Sequence, residues 1–154
     1  MTINNMQLVS VIVTTYNRKD LLTKTIDSIL NQTYKNYELI VIDNYSNYDF
    51  LSYLRSFNDE RIRYFQNAND GIIAVNRNFG IKKAKGEYFI VLHSGDFFYS
   101  KHSLSILSKS IDRNKNYDFY YSNILFYNQI NKNVSRVWKI PSKNDDKLNF
   151  LKIA

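Results

Sequence analysis

Gly86-Glu87-Tyr88-Phe89-Ile90-Val91-Leu92-His93-Ser94-Gly95-Asp96-Phe97-Phe98 is the stretch whose reading decides the fold. An unbroken apolar run from Tyr88 to Leu92 stops at four polar or small residues, His93 to Asp96, and Phe97 and Phe98 follow at once. Short all-apolar strands belong to parallel sheets covered on both faces, and in open α/β sheets ligands collect beyond the carboxyl ends of such strands. The run is therefore expected to be a buried strand at the centre of the sheet, with Asp96 where a carboxylate can meet a ligand or a metal ion. The same residues also suit a simple turn, with Gly95 supplying an unusual backbone angle and Asp96 capping an amide.

Outward from that strand the chain alternates strand-like and helix-like segments. Leu8 to Thr15 is rich in β-branched residues and reads as a first buried strand, followed by a helix with Leu21, Leu22, Thr25, Ile26, Ile29 and Leu30 at helical spacing and Asn17 as its cap. Asn31 to Thr33 closes that helix. Tyr37 to Asp43 is a second buried strand, a short helix follows with Phe50, Leu54 and Phe57 on one face, and Arg61 to Phe65 is a shorter, more polar strand suited to a sheet edge. The next helix is expected to turn Ile72, Val75 and Phe79 inward, to gather Lys82, Lys83 and Lys85 at its end and to stop at Gly86. Beyond Asp96, Ser100 is placed to cap a helix bearing Leu104, Leu107 and Ile111. Tyr117 to Tyr127 and Val134 to Ile140 read as a hairpin, and Asp145 to Ala154 as the start of an amphipathic helix. The order β-α-β-α-β-α-β, then a helix and a β-rich tail, predicts an α/β three-layer sandwich with a largely parallel sheet.

The 154 residues suit one domain, and 44% hydrophobic with 16% aromatic residues exclude a disordered composition. Cysteine is absent, which removes disulfides, thiolate zinc sites and a cysteine nucleophile. No signal peptide or membrane-length apolar run is visible, so a cytoplasmic setting is expected. The net charge of +7 points to anionic partners, either a nucleotide-bearing substrate or an anionic membrane surface. The basic residues are scattered rather than clustered in a stripe, which disfavours a nucleic-acid partner.

In a parallel sheet Thr14 to Asn17, Asp43 to Asn47 and His93 to Asp96 share one edge. Hydroxyls and amides there suit a nucleobase, an aromatic ring can stack on one, and an acid can meet a ribose hydroxyl or a metal-bound diphosphate. No glycine-rich phosphate loop follows the first strand, which disfavours ATP and dinucleotide sites of the standard kinds.

Val9 to Arg18, Leu30 to Tyr34, Tyr37 to Asp43, and Asn78 to Ile81 with Gly86 to Tyr88 resemble the family 2 glycosyltransferases of GT-A fold in order and spacing, over roughly 8–112. The resemblance implies a GT-A fold and transfer of a sugar from a nucleotide-sugar donor, often UDP-linked, to an acceptor hydroxyl with inversion, with Mg²⁺ or Mn²⁺ on the diphosphate. It places Thr14, Tyr16, Asp43, Asn44 and Ser94 at the nucleotide, with Tyr16 against the uracil face. Asp96 is the implied metal ligand, and His93 could assist Mn²⁺, although a histidine there also suits a hydrogen-bonded structural role. The Ser94-Gly95-Asp96 loop is similar to a branch associated with bacterial surface polysaccharides, whose acceptors are carbohydrate or lipid-linked, at the inner face of the membrane.

Two departures bear on activity. Asn44 stands where the family has a second acid, and His93, Ser94 and Gly95 where aspartates are common. The base carboxylate falls in a later segment of the family, so no catalytic residue is assigned. Asp145 and Asp146 read as a helix start. Residues 1–154 are thus expected to form a single nucleotide-sugar-binding domain cut before the acceptor part. A non-catalytic nucleotide-binding or assembly module that keeps the fold is the alternative.

Overall fold

A computed structural model describes residues 7–113, 117–128 and 130–139. The chain divides into two compact units, Met1–Asp112 and Arg113–Ala154. The first carries β1 (Val9–Thr15), α1 (Lys19–Leu30), β2 (Tyr37–Asp43), α2 (Phe50–Arg55), β3 (Ile62–Gln66), α3 (Ile73–Lys83), β4 (Tyr88–His93) and α4 (Ser103–Arg113). The second carries the antiparallel pair β5 (Ile124–Asn128) and β6 (Asn133–Trp138).

The four strands of the first unit are all parallel, in the order β3-β2-β1-β4. Side chains alternate across the sheet and so build two apolar layers. On one face Val9, Val11, Val13, Leu39 and Val41 meet Leu22, Ile26 and Ile29 of α1, Phe50 and Leu54 of α2, and Leu104 of α4. On the other, Ile12, Ile40 and Ile42 meet Phe79 and Ile81 of α3. This is the expected α/β three-layer arrangement.

The apolar run that organises the sequence is not the centre of the sheet. β4 is an edge strand among the described residues, only half-buried, with Phe89 49% exposed. The centre is held by β1 and β2, every residue of which is buried. Hydrophobicity marks β4 as a strand but does not distinguish a covered outer flank from an open one.

α3 is rotated from its expected setting. Phe79 packs inward as expected, but Val75, and Ile72 just ahead of the helix, face outward, while Asn76 and Gly80 are buried. A Cβ on Gly80 would stand 2.4 Å from Ile12 Cγ2, so the missing side chain is what lets the helix backbone lie against the sheet. The helix ends at Ala84, in extended backbone, rather than at Gly86. Gly86 serves instead for close approach: its amide donates to Ser10 Oγ at 2.9 Å, and a Cβ there would meet the Leu8 carbonyl oxygen at 2.5 Å.

Two caps also differ. Asn17 does not cap α1, whose first turn has no side-chain cap, because its carboxamide is committed to the β2 loop. Ser100 Oγ accepts from the His102 amide, whereas the Leu104 amide at the start of α4 donates to Oε1 of buried Gln32. The hairpin begins at Ile124 rather than Tyr117, where Ile124 pairs with Trp138, the last residue of β6. Residues 145–154, expected to be helical, lie outside the described set.

Candidate functional site

The register brings the carboxyl ends of the strands level. Thr14 is paired across to Ile42 and His93, and Thr15 to Asp43, which in turn faces Gln66. Thr14 to Asn17, Asp43 to Asn47, Gln66 to Gly71 and His93 to Asp96 therefore form one rim, as expected for the ligand side of such a sheet.

Hydrogen bonds lace these loops together. The Asn17 amide donates to Ser46 Oγ at 2.9 Å, and the Asn47 amide returns to Asn17 Oδ1 at 2.8 Å. The Asn69 amide donates to Asn44 Oδ1 at 3.0 Å, and Asn67 Nδ2 to Asn76 Oδ1 at 2.7 Å. Asn17, Tyr45, Asp70, Gly71 and Gly95, with φ of 49°, 59°, 46°, 80° and 110°, all adopt left-handed backbone on this rim. Asparagine and glycine tolerate that region, but for a ring-bearing residue such as Tyr45 it costs roughly 1–2 kcal/mol. Such strain gathers where surrounding bonds over-determine a loop, and functional sites are where that is common.

Asp43 is fully buried, and its carboxylate is occupied. It accepts from the Ser46 amide at 3.1 and 3.0 Å and from Ser46 Oγ at 2.5 Å, while Tyr64 Oη stands 3.5 Å away. Burial, followed by the charge of Asp43 beside it, pushes the Tyr64 phenol up to about 12. Thr15 Oγ1, in register with Asp43, is buried without a hydrogen-bond partner. Tyr16, by contrast, is 54% exposed.

On the α3 side, Thr14 Oγ1 lies 2.8 Å from His93 Nδ1, and Arg77 Nη2 donates to His93 Nε2. A guanidinium can only donate, so Nε2 accepts and the neutral ring carries its proton on Nδ1, toward Thr14. Burial and then the Arg77 charge, aided by Arg18, hold the imidazole below its ordinary pKa against the opposing pull of Asp96. Asp96 is exposed, and its Oδ2 accepts from the His93 amide at 2.9 Å. Ser94 is buried and donates its amide to the Thr14 carbonyl at 3.1 Å. Gly95 reaches its positive φ with its amide on Thr25 Oγ1 at 2.9 Å, which seats the loop on α1.

No cluster of three or more histidine, aspartate or glutamate side chains suited to a metal ion occurs among the described residues. Asp96 offers one exposed carboxylate, the minimum for a divalent ion that takes its other oxygens from substrate phosphates and water. His93 does not fit as arranged, because both ring nitrogens are engaged.

The rim thus collects Thr14, Tyr16, Asp43, Asn44, Ser94, His93 and Asp96. It also includes Ser46, inside the expected Asp43 to Asn47 edge, and two residues the sequence did not suggest, Arg77 and Asn69. The Asn67-Ala68-Asn69-Asp70-Gly71 run is the signal that could have found Asn69, since such residues supply their own turn bonds and tolerate left-handed backbone. Arg77 was obscured by the expected rotation of α3.

Residues 10–153 match the pattern described as Glycosyl transferase family 2. The chain is 40% identical over 131 residues to an uncharacterized glycosyltransferase of Rickettsia felis, covering 84% of this chain and 21% of that protein. It is 40% identical over 93 residues to the Escherichia coli UDP-Glc:alpha-D-GlcNAc-diphosphoundecaprenol beta-1,3-glucosyltransferase WfaP, covering 60% of this chain and 37% of that one. Among solved structures it resembles S. aureus TarS 1-349 in complex with UDP-GlcNAc, with a TM-score of 0.64 and 27% identity over 70% of this chain and 32% of that one. The chain spans well under half the length of each of these proteins.

Proposed function

The chain belongs to glycosyl transferase family 2, and from that premise we propose that it binds a UDP-sugar at the carboxyl rim of its sheet and transfers the sugar to an acceptor hydroxyl with inversion. The acceptor is a carbohydrate or a lipid-linked saccharide of a bacterial surface polysaccharide. Residues 1–154 are the nucleotide-sugar-binding domain of that activity. One observation carries the reading: Thr14, Tyr16, Asp43, Asn44, Ser94 and Asp96 stand on three adjacent strand ends, joined by the bonds from Asn17 to Ser46 and from Ser94 to Thr14. The glucosyltransferase WfaP, named for a UDP-Glc donor and a diphosphoundecaprenol acceptor, and the UDP-GlcNAc complex of TarS support the choice of donor and acceptor class.

In this reading Tyr16 lies against the uracil. Asp43 acts by holding Ser46, and Asn44 by holding Asn69, so that the loop around the nucleoside keeps its shape. Thr14 and Ser94 face the ribose and phosphates. Asp96 would hold Mg²⁺ or Mn²⁺, the chemistry of which is to neutralise charge on the departing diphosphate. Arg77 is a cation of the chain's own for the same end of the donor. A direct displacement also needs a base for the acceptor proton, and no described residue is assigned to it.

No helix among the described residues is long and apolar enough to cross a membrane. The net charge of +7 supports peripheral contact with the anionic inner face of the membrane, from the cytoplasm. The single carboxylate in the Asp96 loop favours a second reading, a non-catalytic module that binds the nucleotide without transferring sugar. Hydrolysis of UDP-GlcNAc or UDP-glucose by the purified chain would argue against it.

The test is a calorimetric titration of UDP with and without Mn²⁺. Wild type is expected to bind UDP more tightly with the metal, and Asp96→Ala to lose that gain while staying folded. Absence of UDP binding under every metal condition defeats the reading.

A further inference from the structure

We infer that Tyr45 is a second aromatic contact for the donor nucleobase, acting beside Tyr16. This rests on the rim being a nucleotide site. Tyr45 occupies left-handed backbone, φ 59°, and the residue is 59% exposed. The Asp43–Ser46 turn and the bonds from Asn44 to Asn69 and from Ser46 and Asn47 to Asn17 enforce that conformation. A ring held in an unfavourable backbone conformation and left largely in water adds little to the fold, and a flat ligand is what such a ring is prepared for.

Its neighbours say which part of the ligand it meets. Asp43 is closed off by Ser46, and Asn44 Oδ1 is taken by the Asn69 amide, so neither acceptor is presented to a base in this arrangement. Tyr16 and Tyr45 are the aromatic residues that the ends of β1 and β2 leave exposed, on segments tied together through Asn17. Along the rim the order is β2, β1, β4, with the Asp96 loop at the β4 end. Neighbouring strands stand roughly 4.8 Å apart, so β2 lies about 10 Å from β4. A nucleoside diphosphate with its phosphates at Asp96 and Arg77 therefore carries its base toward β1 and β2, where the two tyrosines stand.

The experiment compares UDP and inorganic pyrophosphate, which has no base, on wild type, Tyr45→Phe and Tyr45→Gly by calorimetry, with thermal melts of each. Stacking on an aromatic ring accounts for roughly a five- to hundredfold gain in affinity. Tyr45→Gly is expected to weaken UDP by about that factor while leaving pyrophosphate unchanged. Glycine accepts the left-handed backbone, so its Tm should be unchanged or higher, and lost affinity would not be lost folding. Tyr45→Phe keeps the ring and should bind UDP like wild type. UDP binding by Tyr45→Gly equal to wild type overturns the inference and leaves the donor site standing, as does an equal loss for pyrophosphate. Wild type that binds no UDP overturns both.

Discussion

A carboxylate buried at the end of a strand and a carboxylate exposed on a loop look alike in a sequence. Asp43 and Asp96 are legible as acids at strand ends, but only the structure separates the one sealed by Ser46 from the one open to solvent. His93 likewise invites a metal until Thr14 and Arg77, 79 and 16 residues away in sequence, take its two nitrogens. Glu38 gives no sequence signal at all, yet it organises a buried polar cluster of the first unit. Its Oε1 accepts from Ser10 Oγ and from the Lys85 amide, each at 2.6 Å, and its Oε2 from Arg63, which also donates to the Lys83 carbonyl at 2.8 Å. Burial works to raise the Glu38 pKa, but the bonds from Ser10, Lys85 and Arg63 outweigh it and leave the carboxyl below its ordinary value. A carboxyl lowered on folding stabilises the protein above its unfolded pKa and loses that contribution as pH falls through the folded value. Glu38→Gln is expected to reduce stability at pH 7 by about 1–3 kcal/mol and to flatten the loss between pH 5 and 3. Urea melts across that range check it, and an unchanged acid slope would assign the pH dependence elsewhere.

At the scale of elements, periodicity located every helix of the first unit and misjudged the rotation of one. α1 and α4 carry apolar stripes against polar faces, so most of their inward residues follow from spacing, Leu104 and Ile111 of α4 among them. Leu107, however, is only partly buried, and Ser108 is buried in its place. In α3 the apolar residues do not form one stripe, and the helix is set by what it lacks, a side chain at Gly80 over Ile12 and Ile42. That is steric information, which a hydrophobic pattern does not hold. Since Ile12 lies in β1 with strands on both sides, it has little room to withdraw. Gly80→Ala would gain helix propensity of roughly 1 kcal/mol but overpack the α3 layer at a typical 1–3 kcal/mol. The expected balance is a lower Tm with α3 pushed outward, and because α3 carries Arg77 to His93, UDP affinity should fall with it. A Tm at or above that of wild type would show that the layer has slack at this point.

For the molecule as a whole, the parallel sheet and its shared ligand edge follow from strict β-α alternation, whereas the order β3-β2-β1-β4 does not. Strand order depends on which flanks are covered, and the sequence placed at the centre a strand that stands at an edge among the described residues. Charge is the global property that is read without coordinates, and it bears on rate more than on fold. With 21 basic and 14 acidic residues the chain carries +7, and the proposed donor is an anion. Long-range attraction raises the encounter rate and is screened over about 10 Å at 0.1 M salt, whereas stacking and hydrogen bonds made after contact are screened far less. Raising NaCl from 0.05 to 0.5 M should therefore slow UDP association several-fold in stopped flow and change dissociation much less. The same salt dependence should persist in Tyr45→Gly, whose defect belongs to the dissociation rate. If salt acted mainly on dissociation, the positive charge would be gathered at the phosphates themselves, and Arg77 would be the first residue to remove.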